Sequence, residues 1–336
     1  MNDTPTTTRQ IVLASRPHGD PAEENFRLEE AELPALEDGQ VLVRTTVMSV
    51  DPYMRGRMND AKSYVPPFQI DEPLDGGAVG EVVDSRADDL PVGTMVTHQL
   101  GWREHAVVDA DQALPVDTAD VGDSAYLGVL GMPGLTAYTG LFHIGQFTEG
   151  DTVFVSGAAG AVGSLVGQMA KLAGAGRVIG SAGSPEKLER LHELGFDAGI
   201  NYKDGNLAEQ LREAAPDGID LYFDNVGGDH LEAAIGALNT HGRVTLCGAI
   251  SQYNATEPPP GPRNMFQAIG KCLTLRGFVM TEYAHLRAEF LQRVQPWLAH
   301  GQLDWDVTER TGLENAPAAF GELFTGGNTG KMVVRL

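Results

Sequence analysis

Seven residues, Gly157-Ala158-Ala159-Gly160-Ala161-Val162-Gly163, stand between a short β-branched run and a stretch with helical apolar spacing. Glycines at such a junction permit a tight turn and let the backbone approach a pyrophosphate closely. The helix that follows presents free N–H groups and its positive dipole end to that charge. A Gly/Ala-rich turn can also do no more than pack a helix on a sheet. The strand–turn–helix setting favours the ligand-binding reading and predicts a dinucleotide site. The end of the next strand indicates which dinucleotide. NAD-binding folds usually place Asp or Glu about 20 residues on, against the ribose 2′-hydroxyl. This chain has Ser181-Ala182-Gly183-Ser184-Pro185-Glu186-Lys187 there. No carboxylate stands at the strand end, and Lys187, Ser184 and the helix N-terminus would attract a 2′-phosphate. The pattern points to NADP(H). Glu186 is the adverse charge, and a solvated helix face is the commonest fate of a residue such as Lys187.

Metal chemistry has little to build on. The two cysteines, Cys247 and Cys272, cannot form a four-cysteine zinc site, and none of the nine histidines pairs at ligand spacing with a carboxylate partner. No metal site is expected, and without a Lewis acid direct alcohol oxidation is disfavoured.

The elements that must position these residues fall into two kinds. Residues 40–51 (QVLVRTTVMSVD), 77–85, 93–98 and 102–109 read as short strands divided by Gly, Pro and Asp turns. That spacing suggests a barrel-like or sandwich-like antiparallel domain. From Asp151 strands alternate with helices. Strands are expected at 152–156, 177–181, 219–224, 243–248 and 275–280, and helices at 161–173, from Pro185 until Gly195, at 229–239 and at 282–300. Ser184 is the expected N-cap of the second helix, with Pro185 in its first turn. This alternation means a parallel, doubly wound sheet, so the fold class is α/β. Residues 254–263 carry four prolines and read as an irregular loop, and residues 331–336 form a terminal strand that could return to either domain.

Composition bounds the partners. The chain has 336 residues, 24 Lys+Arg against 46 Asp+Glu, and a net charge of −22. With 42% hydrophobic and 21% charged residues it is a core-forming chain of about two domains. The acidity disfavours nucleic-acid backbones and anionic membranes. No apolar run is long enough to span a bilayer, residues 1–10 do not read as a secretory signal, and the low cysteine usage suits a cytoplasmic protein.

The chain resembles the zinc-independent medium-chain dehydrogenase/reductases, and within them the NADPH-dependent double-bond reductases, which include prostaglandin, alkenal and curcumin reductases. The resemblance lies in VLASRPHG (12–19), SVDPYMRGRM (49–58), LGVLGMPGLTAYTGL (127–141) and VFVSGAAGAVGSLVGQMAKLAG (153–174). It continues through YFDNVGG (222–228), CGAISQYNAT (247–256), GLENAPAAF (312–320) and GNTGKMVVRL (327–336). These segments are spread over nearly the whole chain in the expected order. The resemblance implies a GroES-like catalytic domain over 1–125 and 302–336, a Rossmann domain over 126–301 inserted in it, an active site in the cleft, and a homodimer. In the zinc-dependent relatives a first metal ligand stands where this chain has Ser49-Val50-Asp51-Pro52.

Cofactor residues carry over one at a time. Ala161, Val162, Gly163 and Ser164 match the pyrophosphate loop. Lys187 and Tyr202 match the 2′-phosphate contacts. Asn225 matches an amide beside the cofactor, and Cys247, Gly248, Ala249, Ile250, Ser251, Gln252 and Tyr253 match the segment lining the nicotinamide ribose and ring. Phe278, Val279 and Met280 match the backing of the nicotinamide, and Asn328 matches a C-terminal amide contact. The implied reaction is transfer of hydride to the β-carbon of an α,β-unsaturated ketone or aldehyde. Negative charge then develops on the carbonyl oxygen, where preorganised donors stabilise it, and a proton must reach the α-carbon. A tyrosine phenol is protonated at neutral pH and can donate, which makes Tyr253 the candidate proton donor. The alternative is that it only packs on the cofactor. Tyr53 and Tyr64 are the candidate substrate contacts, each with an apolar ring and a polar hydroxyl. Either could equally be a half-buried packing residue. Met132 reads as core filler or a ligand contact, and Arg55 and Arg57 as partners of local carboxylates. Loops 59–73 and 254–265 would shape the substrate pocket. The rival readings are a quinone oxidoreductase, whose branch generally lacks the DPYM and SQYN segments, and a non-catalytic NADPH-binding protein.

Overall fold

The computed structural model describes residues 4–336, which divide into two compact units. Unit 1 comprises residues 4–128 together with Val307–Asn328 and Met332–Leu336, and unit 2 comprises Val129–Asp306 and Thr329–Lys331.

Unit 1 opens with β1 (Thr7–Leu13) and β2 (Phe26–Glu32), an antiparallel pair in which Leu13 faces Phe26. Then come β3 (Gln40–Ser49), the single helical turn α1 (Met54–Arg57), β4 (Ala78–Ser85), β5 (Met95–His98), β6 (His105–Asp109) and β7 (Leu114–Pro115). Strand β3 is the hub. It pairs antiparallel with both β4 and β6, and its residues are buried almost without alternation because Val41 and Val43, Val47, and Met48 enter three apolar clusters.

Unit 2 begins with α2 (Met132–Tyr138), which runs into a π-helical turn at Thr139–Ile144. The alternating set follows: β8 (Thr152–Val155), α3 (Gly163–Leu172), β9 (Arg177–Ala182), α4 (Pro185–Glu193), β10 (Ala198–Asn201) and α5 (Leu207–Ala214). It ends with β11 (Ile219–Asp224), α6 (Gly228–Ala237), β12 (Leu238–Leu246), the short α7 (Gln267–Gly270), β13 (Thr274–Gly277) and α8 (Arg287–Ala299). The six strands pair in parallel in the order β10-β9-β8-β11-β12-β13. This is a doubly wound sheet whose order reverses between β8 and β11, the place where such sheets bind ligands beyond their strand ends. Phe154 and Tyr222 stack across that reversal at 5.0 Å, both fully buried. Arg190 of α4 ties in the segment before the chain leaves the unit, pairing with Asp304 at 2.6 Å and Asp306 at 2.8 Å.

The chain then returns to unit 1 as β14 (Val307–Thr311), α9 (Ala316–Thr325) and β15 (Lys331–Arg335). Strand β15 lies antiparallel on β3, with Val333 opposite Ser49, and β14 lies on its outer side. The terminal strand therefore completes the first sheet, a choice the sequence pattern alone left open. Helix α9 seals the unit 1 core, where the Phe320 ring stands edge-on to Trp102 at 6.2 Å and to Phe26 at 6.3 Å. Arg335 fixes the seam by a two-point contact with Asp123 at 3.0 and 3.1 Å. Burial works to raise the Asp123 carboxyl, but hydrogen bonds from Arg335, Thr46 and the Ser124 N–H win and hold it below the ordinary carboxylate range.

Several boundaries differ from the sequence expectation. The 161–173 helix starts at Gly163, because Gly157 at φ +59° and the bends after it form the loop itself. The 229–239 helix stops at Ala237, where β12 already begins. The strand expected over 275–280 ends at Gly277, and 3-10 turns at Met280–Glu282 and Ala284–Leu286 delay α8 to Arg287. The sequence pattern gives no expectation for strands β1, β2, β7, β10 and β14 or for helices α1, α2, α5, α7 and α9; most are short or half-exposed and carry weak periodicity.

Candidate functional site

The glycine loop leaves β8 at Ser156. At Gly163 a Cβ would sit 2.5 Å from the Gly157 carbonyl oxygen and 2.8 Å from the Ala158 Cα, so only glycine allows the turn to close on the helix start. Ala161 and Val162 complete the turn, and the Ser164 N–H donates to the Gly160 carbonyl at 3.1 Å. The Gly330 N–H bonds the Ala159 carbonyl at 2.8 Å, which brings the chain end two residues after Asn328 to this loop. Asn328 itself is grouped with unit 1.

Beyond β9 the chain opens at Gly183. Ser184 caps α4 by accepting the Lys187 N–H at 3.4 Å, as its sequence position predicts. Asn201 lies opposite Ala182 in the parallel register, so Tyr202 and Lys203 leave β10 abreast of Gly183. A Cβ at Gly183 would lie 2.7 Å from the Tyr202 hydroxyl and 3.0 Å from the Lys203 Cε. Tyr202 leans edge-on against His230 at 5.3 Å, and burial pushes that imidazole down to about 4, leaving it neutral. The Lys187 ammonium is pushed below its ordinary value first by burial and then by the charge of Lys203. Glu186, the adverse charge, is held ionised by its own backbone N–H and the Ser184 hydroxyl. The sequence reading passed over Lys203, although its place beside Tyr202 was a usable signal.

At the C-terminal ends of β11 and β12 a buried carboxylate organises three loops. Asp224, 1% exposed, accepts the Tyr222 O–H at 2.6 Å and the backbone N–H groups of Val226 at 3.0 Å and Gly227 at 2.8 Å. The Ser156 hydroxyl reaches the same oxygen at 3.3 Å and accepts the Asn225 N–H at 3.0 Å. The Asp224 carbonyl receives the N–H groups of Cys247 at 2.9 Å and Gly248 at 3.0 Å. Burial raises the Asp224 carboxyl against the pull of these donors. The sequence reading also missed Tyr222, Asp224 and Ser156, whose significance lies in cross-strand contacts.

Of the expected nicotinamide segment, Asn225 donates its side-chain amide to the Ser156 carbonyl at 2.8 Å. The Ile250 N–H reaches the Asn225 carbonyl at 3.2 Å, and the Ser251 hydroxyl reaches the Val226 carbonyl at 2.6 Å. Gln252 closes the 3-10 turn Ile250–Gln252, and the Tyr253 hydroxyl accepts the Ala249 N–H at 3.2 Å. Burial, helped by the Asp224 charge, pushes the Cys247 thiol up to about 12, so it is no nucleophile. Phe278, Val279 and Met280 follow β13, with the Phe278 ring edge-on to Tyr283 at 6.1 Å. Unit 2 thus gathers its expected residues at the C-terminal ends of its strands.

In unit 1 the Tyr53 phenol is raised by burial and then by Asp51, whose carboxylate accepts the Ser49 hydroxyl. Arg57 and Tyr64 also act on the Tyr53 phenol, which places the two candidate substrate tyrosines within electrostatic reach of one another. Arg55 donates to the carbonyls of Gly19 and Pro17 and to the Asn59 amide oxygen at 2.8 Å, and the Asp20 charge also acts on it. Arg57 bonds the Pro66 carbonyl and lies 3.9 Å over the Phe68 ring, with Asp75 at 3.6 Å. Met132, at the start of α2, is 43% exposed rather than core filler. Among the described residues no group of three His, Cys, Asp or Glu side chains is placed to hold a metal ion.

The loop whose backbone a side chain would obstruct, and the bare strand end flanked by two ammonium groups, fit an NADP-type dinucleotide. Comparisons with known proteins agree. A family model for the N-terminal domain of oxidoreductase matches residues 9–116, and one described as zinc-binding dehydrogenase matches residues 161–297. The chain is 44% identical over 334 residues to the NADPH-dependent curcumin reductase of Escherichia coli, covering 98% of this chain and 96% of that one. It is 43% identical over 323 residues to rat prostaglandin reductase 1, with 94% and 95% covered. The crystal structure of CurA from Vibrio vulnificus in complex with NADPH superimposes with a TM-score of 0.92 at 47% identity, covering 97% of this chain and 98% of that one. The chain belongs to the medium-chain dehydrogenase/reductases, in their NADPH-dependent double-bond reductase branch.

Proposed function

We propose that this protein is a zinc-independent reductase that uses NADPH to saturate the carbon–carbon double bond of α,β-unsaturated ketones and aldehydes. The observation that carries the reading is the bare strand end at Gly183 with Lys187 and Tyr202 around it, in a chain of this branch. Bound NADPH supplies the hydride. Ala161, Val162, Gly163 and Ser164 hold the pyrophosphate, and Lys187 and Tyr202 hold the 2′-phosphate. Asn225, the 247–253 segment, Phe278, Val279, Met280 and Asn328 surround the nicotinamide end. Tyr53 and Tyr64 contact the flat enone. Tyr253, whose oxygen accepts the Ala249 N–H, is oriented by its own loop, and its phenol is the group assigned to protonate the α-carbon.

The test follows NADPH absorbance with curcumin, trans-2-alkenals and ring enones, with NADH and Tyr253→Phe in parallel. The expected result is turnover with a strong preference for NADPH. In Tyr253→Phe, kcat should fall by about a hundredfold while NADPH affinity stays within about threefold. Retained turnover in the variant would move proton delivery to the ribose hydroxyl or water. Tight NADPH binding without turnover of any enone would favour a quinone substrate or a binding protein.

The same reading includes a cytoplasmic homodimer. No described helix is long and apolar enough to cross a membrane, and both cysteines are free thiols. Strand β13 is an open edge of the parallel sheet, and beside it Phe266 and Ile269 are 72% and 83% exposed. An apolar patch next to an unpaired edge is a surface that folded proteins normally cover, and a second copy is the occupant proposed here. Light scattering should give twice the 35.9 kDa chain mass. A monomer mass for the wild type would remove the dimer, and Ile269→Lys should push a true dimer toward monomer.

A further inference from the structure

We propose that Lys203 is a second cation of the 2′-phosphate seat and, together with Lys187, sets the preference for NADPH over NADH. This rests on the NADPH reading above. Strands β9 and β10 end side by side, Asn201 opposite Ala182, so the turn that begins at Tyr202 lies directly against the bare backbone of Gly183. The turn is braced by Asn201, which accepts the Lys203 N–H at 3.2 Å and donates to Asp204 at 3.0 Å. The brace engages the Asp204 carboxylate. The Lys203 side chain then runs back over Gly183, its Cε 3.0 Å from where a Cβ would stand, beside the Tyr202 hydroxyl. Its ammonium group is one bond further along, within electrostatic reach of Lys187.

The chain offers 46 carboxylates to 24 basic side chains, yet Lys203 makes no ion pair among the described residues. Two ammonium groups near one another repel, and an arrangement of this kind is relieved by an anion set between them. The third neighbour, Tyr202, offers an O–H donor, and α4 begins at the same place with Ser184 as its cap. The alternative is an ordinary solvated lysine, since Lys203 is exposed. That alternative predicts that replacing Lys203 leaves the affinity for both cofactors unchanged, with Lys187 and Tyr202 alone discriminating between them.

The test is fluorescence titration of NADPH and NADH against wild type, Lys203→Ala, Lys203→Arg and Lys187→Ala at two salt concentrations. Lys203→Ala should weaken NADPH about tenfold, leave NADH within about twofold, and flatten the salt dependence of NADPH binding. Lys203→Arg should recover most of the NADPH affinity. Unchanged NADPH binding in Lys203→Ala overturns the proposal, and so does an equal loss for both cofactors, which would mean a structural role. A wild type that binds NADH as well as NADPH overturns the cofactor reading itself, and is seen before any variant is compared.

Discussion

Gly183→Asp is expected to lower NADPH affinity by about a hundredfold or more while leaving the unfolding temperature within a few degrees of the parent. The position directly follows β9, where NAD-binding sheets carry their acidic residue. The atoms a Cβ there would meet first are the Tyr202 hydroxyl and Cζ and the Lys203 Cε, all toward the outer ends of side chains rather than backbone. The new carboxylate would project into the space assigned to the 2′-phosphate. Like charges about 4–5 Å apart at an effective dielectric near 20 oppose one another by about 3 kcal/mol or more, which is the hundredfold. The carboxylate would also pair with the two lysines that otherwise favour phosphate. NADH lacks the phosphate and gains an acceptor for its ribose hydroxyl, so its affinity should hold or rise. Parallel titrations with both cofactors read the effect. If both cofactors weakened equally, Gly183 would be needed for the fold of the strand end and not for selection.

The second large effect is on stability. Asp224→Ala should cost about 3 kcal/mol and lower the unfolding temperature by roughly 5–10 °C. The aspartate accepts two backbone N–H groups and two hydroxyls in a site with 1% exposure. After truncation Tyr222 can still reach the Ser156 hydroxyl, 2.9 Å away, but the N–H groups of Val226 and Gly227 lose their acceptor. Each buried donor left unmatched costs about 1–3 kcal/mol. Relief of the desolvated charge returns part of this, since among the described residues no cation forms an ion pair with Asp224. Asp224→Asn keeps an acceptor oxygen and should cost less than half as much. Because the folded state raises this carboxyl, the folded protein holds its proton more tightly than the unfolded chain does. The stability it contributes is full below the ordinary carboxyl range and declines as pH rises through the raised value. Asp224→Asn should remove that slope. Thermal unfolding followed by circular dichroism across pH 4–8 reads both effects. A melting point within about 2 °C of the parent for Asp224→Ala would show that Val226 and Gly227 find other partners.

What the sequence showed depended on how local the cause was. The parallel sheet was legible because β8, β9 and β11 are buried on both faces and read as short apolar runs, and because Ser184, Pro185 and Gly195 mark the ends of α4 in order. The glycine loop was legible for the same reason. The antiparallel half showed four of its strands, while β1 and β2, which alternate buried and exposed residues weakly, did not stand out. The return of β15 to β3 was invisible to periodicity, since a strand's pattern does not name its partner; resemblance to the family supplied it. The network around Asp224 was invisible too. It joins Ser156, Tyr222 and Val226 from two strand ends, and only three-dimensional packing shows that the aspartate in YFDNVGG faces inward. Lys203 lay in plain view beside Tyr202, but a lysine among solvated residues carries no sign of direction until the register with Gly183 is known.

The closure of the first sheet by the last strand bears on how the chain is made. A ribosome delivers residues in order, at about 5–20 each second. Strand β3 ends at Ser49, and β15, which covers its second half, begins at Lys331, so the wait for that partner is of the order of half a minute. Meanwhile the core of unit 1 also lacks Phe320 and Met332, whereas every strand of the parallel sheet lies between Thr152 and Gly277 and can pair as it emerges. The later-synthesised unit is therefore the one able to mature first, and the early strands spend that interval as an unfinished sheet with the second half of one β3 flank bare.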